Sequence, residues 1–232
     1  MKEAIILAGG FGTRLQHIVS DVPKPMAPVN GAPFLSYLLR RLQLAGVEHV
    51  ILSTGYLHEK IESFFGHTFE GVQLTYSQEK TPLGTGGAIQ LGLSHAVSEN
   101  VLVLNGDTLF DVDFDKFKQF HIEKQAVLSV ALRQVDDVSR YGSVQIDDHS
   151  RIVSFTEKAQ ARGVGLINGG VYLIQKKWLT GLNLPEQFSF EKEVLENIFK
   201  NNDFYGLGFD SYFIDIGVPD DFYRAQQEFK RF

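Results

Sequence analysis

The chain has 232 residues, 44% hydrophobic and 22% charged, with a formal net charge of −6 and no cysteine. That length suggests one large domain that buries roughly 70% of its surface on folding, so the core requires no covalent staples. The composition excludes a disordered chain, a disulfide framework, a thiolate metal site and a cysteine nucleophile. The acidic balance argues against a nucleic-acid partner, so any polyanion must be met in a local basic pocket.

No stretch approaches about 18 uninterrupted apolar residues, so no membrane partner is expected. The apolar run after Met1-Lys2-Glu3 ends at Ala8 against Gly9 and Gly10, too short for an export signal. A cytoplasmic protein follows by default.

The run 3–8, followed by glycines, reads as a buried strand. Phe34, Leu35, Leu38, Leu39 and Leu42 recur at helical spacing, and Gly46 supplies a stop. A second strand at 47–53 is followed by a short helix marked by Leu57, Ile61, Phe64 and Phe65. A third strand at 72–76, a helix at 88–96 and a fourth strand at 101–104 complete the first half. Strands separated by helices predict right-handed crossovers and a mostly parallel sheet, with ligands at the carboxyl ends of the strands. The second half reads differently, with strands at 127–132, 143–146, 152–155 and 170–174 and little helix between them. That pattern predicts a more antiparallel portion closing over the first half. Helices return at 190–199 and 220–229, and no repeat or linker divides the chain.

The segment Leu7-Ala8-Gly9-Gly10-Phe11-Gly12-Thr13-Arg14 follows the first strand at once. Its glycines let the backbone approach a ligand and turn several N–H groups inward as an anion nest. Arg14 adds a fork for phosphate oxygens. Ten residues later, Lys24 lies between Pro23 and Pro25, which stiffen its backbone. The spacing fits neither a Walker A loop nor a dinucleotide fingerprint, since position 15 is Leu15. A dinucleotide oxidoreductase would also end its second strand on an acidic residue, where this chain has Ser53-Thr54-Gly55.

Asp107 follows a short apolar strand and Asp215 follows Tyr212-Phe213-Ile214, so both should sit at strand ends on the ligand face. Two such carboxylates can hold Mg²⁺, which prefers oxygen ligands shared with phosphate and water. Glu157-Lys158 also follows a strand, where a lysine suits a phosphate monoester and a glutamate suits hydroxyls. The seven histidines show no metal-ligand spacing, and no serine has an evident base partner. The nineteen phenylalanines read as core, with the late Phe222 and Phe229 as candidates for a homodimer contact.

Leu7 to Leu15 together with Pro23-Lys24-Pro25 closely resembles the signature of sugar-1-phosphate nucleotidyltransferases. The resemblance continues in family order through Pro82-Leu83-Gly84-Thr85-Gly86-Gly87-Ala88, Asn105-Gly106-Asp107, Tyr141-Gly142, Phe155-Thr156-Glu157-Lys158, Asn168-Gly169-Gly170 and Asp215-Ile216-Gly217. It implies a single-domain, Rossmann-like α/β three-layer sandwich with a mixed, mostly parallel sheet. Residues 1–110 would mainly bind nucleotide and 111–232 mainly sugar phosphate. The implied reaction joins a nucleoside triphosphate to a sugar 1-phosphate and releases pyrophosphate.

The resemblance also implies residue roles. Arg14 and Lys24 would be the catalytic cations, and Asp107 and Asp215 the Mg²⁺ ligands. Leu7, Ala8, Gly9, Gly10, Gly12 and Thr13 would hold the nucleotide, together with Glu79, Gly84, Asn105 and Gly106. Gly142, Glu157, Lys158 and Asn168 would hold the sugar phosphate. Glu79 would face the base. A carboxylate accepts two parallel N–H bonds, which guanine offers and uracil or thymine does not, so guanine is favoured. Among subfamilies, the stretches Lys24-Pro25-Met26-Ala27-Pro28 and Tyr76 to Ala88 most resemble D-glycero-D-manno-heptose 1-phosphate guanylyltransferases. Mannose 1-phosphate guanylyltransferases and N-acetylmuramate 1-phosphate uridylyltransferases are similar short alternatives. A non-catalytic sugar-nucleotide sensor on the same fold is the non-enzyme alternative.

Overall fold

The computed structural model describes residues 1–10, 19, 21–156 and 162–231. The first strand, β1 (Glu3–Leu7), divides the interior by its alternation. Ala4 and Ile6 enter a core layer with Leu35, Leu38 and Leu42, whereas Ile5 enters the opposite layer with Ile89 and Val103. A strand is apolar on both faces only where both faces of its sheet are covered, as in a layered α/β fold.

Short strands β2 (Pro28–Val29) and β3 (Ala32–Pro33) lead into α1 (Phe34–Leu44). This helix buries the side chains that its spacing selects, and Gly46, at φ +74°, lets the chain turn back after it. Then follow β4 (His49–Thr54), α2 (His58–Phe65), β5 (Thr68–Phe69), β6 (Val72–Gln78), α3 (Gly84–His95) and β7 (Asn100–Asn105). The second half contains β8 (Thr108–Phe110), α4 (Phe114–Glu123), β9 (Leu128–Val135), β10 (Ser143–Ile146), β11 (Ile152–Thr156), β12 (Gly165–Gln175) and α5 (Lys176–Thr180). A π-helical stretch (Phe190–Glu196), β13 (Phe204–Gly208), β14 (Phe213–Asp215) and α6 (Pro219–Glu228) follow.

At the centre, β1 pairs in parallel with β4 on one side and β7 on the other, and β4 pairs in parallel with β6. The chain moves outward from β1 through β4 to β6, then returns to the far side of β1 as β7. That reversal opens a crevice beyond the carboxyl ends of β1 and β7, the usual ligand position in such sheets. On the outer edge of β7, β12 runs antiparallel and in turn carries β9 and β10. The result is the expected mixed-sheet α/β sandwich in one domain. No helix among the described residues is long and apolar enough to cross a membrane.

Several sequence expectations are corrected. The helix expected at 88–96 starts at Gly84, because glycines at its start allow close packing on the segment around Phe188. The second half is richer in helix than its apolar runs suggest. In α4, the Asp113 carboxylate accepts a 2.9 Å bond from the Lys116 amide as an N-cap, and Phe114, Phe117 and His121 are buried at helical spacing. The helix expected at 190–199 is π-helical as far as Glu196. Phe222 and Phe229 are buried within the chain, with the Phe229 ring 4.7 Å from that of Tyr37 and 5.7 Å from that of Phe34. They are core residues and offer no surface to a homodimer partner.

Candidate functional site

The loop after β1 forms one wall of a cavity of about 540 Å³ that Gly9, Gly10, Tyr56, Glu79, Gly84 and Thr85 help to line. Two close backbone approaches shape it. A Cβ on Gly9 would lie 2.5 Å from the Glu79 carboxylate oxygen Oε1, and one on Gly55 would lie 3.1 Å from the Gly9 carbonyl oxygen. Any side chain at Gly9 would therefore displace Glu79. The other carboxylate oxygen of Glu79 accepts a 2.9 Å bond from the Leu83 amide. Burial pushes the Glu79 carboxyl above its ordinary value, and the Leu83 bond partly opposes that shift.

Leu7 lines the same cavity, but Ala8 is fully buried and its amide donates to the Ser53 carbonyl at 2.7 Å. Ala8 therefore fixes the loop to β4. Gly106 likewise ties β7 to β1, since its amide donates 3.0 Å to the Leu7 carbonyl and a Cβ there would overlap that oxygen. Asn105, at the end of β7, packs against Gly170, whose Cβ would come within 2.7 Å of its Nδ2. Of the described members of the expected nucleotide set, Leu7, Gly9, Gly10, Glu79 and Gly84 line the cavity, and Ala8, Asn105 and Gly106 hold its frame.

A charged cluster forms where the chain crosses from β7 to β8. Lys24 sits in a 3₁₀ turn held by Pro23 and Pro25, and its ammonium pairs with the Asp107 carboxylate. Asp215 arrives by a route the sequence did not reveal. It lies on β14, which pairs antiparallel with β8 in a two-stranded ribbon outside the main sheet, with Asp215 opposite Thr108. The Ile216 amide donates 2.9 Å to the Asp107 carbonyl, and the Gly217 amide donates 2.7 Å to Asp215 Oδ1. A Cβ on Gly217 would lie 2.7 Å from both Asp215 Oδ1 and Lys24 Nζ, so the ammonium and both carboxylates share one small space. The donors are hard oxygens, which suit Mg²⁺.

A second cavity, about 360 Å³, opens among β10, β11, β12 and the π-helical stretch, with Tyr141, Gly142, Thr156, Asn168, Ser189 and Glu191 in its wall. Gly142 adopts φ +78° and its amide donates 3.0 Å to the Val138 carbonyl, so this N–H is already bonded inside the fold. Asn168 lies at an irregularity in the β12–β9 pairing. Its Nδ2 donates 2.7 Å to the Tyr172 hydroxyl and its Oδ1 accepts 3.0 Å from the Gly170 amide. None of the described histidines lines either cavity.

The family pattern described as "Nucleotidyl transferase" matches residues 3–231. The chain belongs to the nucleotidyl transferase family. A D-glycero-alpha-D-manno-heptose 1-phosphate guanylyltransferase from Aneurinibacillus thermoaerophilus is 48% identical over 230 residues, covering 99% of both chains. A protein of the same name from Campylobacter jejuni is 46% identical over 221 residues, covering 95% of this chain and 97% of its own. Among solved structures, HddC from Yersinia pseudotuberculosis complexed with GMP-PN superposes with a TM-score of 0.88 at 36% identity, covering 99% of this chain and 100% of that one.

In this nucleotidyl transferase, the structure thus brings together Gly9, Gly10, Glu79 and Gly84 in one cavity, and Lys24, Asp107 and Asp215 in the cluster. Gly142 and Asn168 share the second cavity. Gly12, Thr13, Arg14, Glu157 and Lys158 lie outside the described residues. Sequence reasoning missed Tyr56, Lys80 and Thr85 in the first cavity, and Ser189 and Glu191 in the second. Lys80 adjoins Glu79 and Thr85 lies within a quoted motif, so position was a signal for both. The 189–191 segment offered none.

Proposed function

We propose that this nucleotidyl transferase moves GMP from GTP onto D-glycero-D-manno-heptose 1-phosphate, releasing pyrophosphate. The observation that carries the guanine choice is the Glu79 carboxylate in the wall of the first cavity, pressed against Gly9. Such a group accepts the paired N1–H and 2-amino donors of guanine. The choice of sugar is supported by the 48% and 46% identical relatives named for that activity. The division into halves rests on the same two cavities: residues up to Thr85 line the first, and residues from Tyr141 onward line the second.

A phosphate oxygen of the sugar 1-phosphate attacks the α-phosphorus in line, the bond from α-phosphorus to the bridging oxygen of the β-phosphate breaks, and pyrophosphate leaves. The attacking monoester is mostly dianionic at neutral pH, so the protein needs no general base. Its task is to position two mutually repelling anions and to stabilise charge. Arg14 takes the β- and γ-phosphates and steadies the departing pyrophosphate. Lys24, held by Asp107, bridges the α-phosphate and the incoming phosphate. Lys158 orients the nucleophile, and Glu157, Asn168 and Gly142 line the sugar.

Asp107 and Asp215 would hold Mg²⁺, whose charge, when bound, offsets that of the phosphate oxygens. The reaction belongs in the cytoplasm, where nucleoside triphosphates are made.

Pyrophosphate release from a panel of triphosphates and sugar 1-phosphates tests this reading. The highest rate is expected for GTP with the heptose 1-phosphate. Release of nothing from any pair would favour a sugar-nucleotide sensor. Arg14→Ala should lower kcat on the order of 10²-fold, as for loss of a preorganised charge donor; a rate within about twofold of the parent would remove Arg14 from this role.

A further inference from the structure

The two cavities are joined by a continuous hydrogen-bonded path. Glu79, in the first, accepts from the Leu83 amide, and the Leu83 carbonyl accepts 2.9 Å from the Phe188 amide. The Phe188 carbonyl accepts 3.0 Å from the Gly86 amide in the first turn of α3. Side chains at Gly84, Gly86 or Gly87 would meet Phe188 or Glu186, so α3 and this segment are pressed together as one body. Thr85, also in the wall of the first cavity, completes the path. Its hydroxyl accepts 2.9 Å from the Phe190 amide and donates 2.6 Å to Glu191 Oε2, which takes a further 2.8 Å bond from the Ser189 hydroxyl.

The consequence lies in the second cavity. Glu191 stands in its wall with Oε2 committed to two hydroxyls. Its Oε1 takes no hydrogen bond among the described residues. A half-buried carboxylate held at one oxygen keeps a fixed direction for the other, and a charged acceptor of fixed direction is a strong partner for a hydroxyl.

We propose that Glu191 binds a hydroxyl of the sugar through Oε1 and that Thr85, although it lines the other cavity, is the positioning residue that aims it. This rests on the second cavity being the sugar-phosphate site. Glu191 reads the sugar, and Thr85 affects sugar binding more than nucleotide binding.

Steady-state pyrophosphate release tests this, with each substrate varied in turn. Glu191→Gln should raise the KM for the sugar 1-phosphate about tenfold and leave that for GTP within about twofold, as for loss of one charged hydrogen bond. Thr85→Val should reproduce that split, and Thr85→Ser should restore it, since serine keeps both the donor and the acceptor. A purely structural role would move both KM values together, or lower the thermal midpoint without a split.

An unchanged sugar KM in Glu191→Gln, or a Thr85→Val effect confined to GTP, would overturn the proposal. If the parent protein releases no pyrophosphate, the functional reading fails on its own. Calorimetric binding of the heptose 1-phosphate then still decides the role of Glu191: a clear loss in Glu191→Gln supports it, and equal affinity in both proteins, absence of binding included, overturns it.

Discussion

Lys24 and Asp107 are 83 positions apart, yet their side chains form an ion pair at the point where β7 gives way to β8. The ammonium is mostly shielded, at 13% exposure, and Asp107 is more open, at 32%. Removing either partner leaves the other charge with less compensation in a confined place.

The two residues should therefore behave as a unit. Lys24→Gln and Asp107→Asn are each expected to lower kcat on the order of 10²-fold, as for loss of a preorganised charge. The double variant is expected to fall far short of the product of the two losses. A double-mutant cycle on pyrophosphate release measures this, and independent, multiplying effects would refute the unit. Chelation of divalent ions should abolish turnover, and added Mg²⁺ should restore it.

Neighbouring glycines in the loop after β1 should respond differently to a methyl group. At Gly9 the added Cβ meets the Glu79 carboxylate at 2.5 Å, while at Gly10 nothing lies within 4 Å. Gly9→Ala is expected to raise the KM for GTP at least tenfold by displacing Glu79. Gly10→Ala should leave the thermal midpoint within about a degree of the parent, since surface changes away from packed features cost little. Equal effects on GTP KM and midpoint at both positions would contradict this geometry.

Glu79 carries a signature in pH. Burial raises its carboxyl above 4.5, so the folded state favours the protonated form. Its stabilising share is present below that value and is lost as pH rises through the raised one. Glu79→Gln keeps an acceptor for the Leu83 amide and removes the charge. It should be more stable than the parent at pH 7, with the gap closing as pH falls below 4.5. The same variant should lose at least tenfold in kcat/KM for GTP, because an amide offers guanine one acceptor in place of two. Thermal melts across pH, together with GTP kinetics, check both parts.

His121 should dominate one part of the acid response. It is buried, within 2.8 Å of the Ser129 hydroxyl, and burial lowers its pKa from 6.5 to about 4. The neutral ring is the folded form, so its contribution is present above 6.5 and is lost as pH falls through about 4. At 1.36 kcal/mol per unit, the loss is about 3 kcal/mol. Urea unfolding of the parent should weaken by most of that amount over this window, and His121→Gln should lack this component. Parallel curves for the two proteins would sink the assignment.

The sequence by itself determined the central strands, α1, the glycine loop and the ordered motifs, because these signals are local. Hydrophobic period, glycine after a strand and a cation between prolines need only near neighbours to be read. It did not determine α4, whose Asp113 cap and buried His121 look polar until Ser129 and the sheet supply partners. Nor did it show that Asp215 reaches Asp107 through a β8–β14 ribbon outside the main sheet, or that Phe222 and Phe229 belong to the core. The bond between Thr85 and Glu191, 106 positions apart, gave no sequence signal because neither spacing nor composition encodes a long-range hydrogen bond. Only tertiary packing, with α3 pressed against the Phe188 segment, decided that the two cavities share a wall.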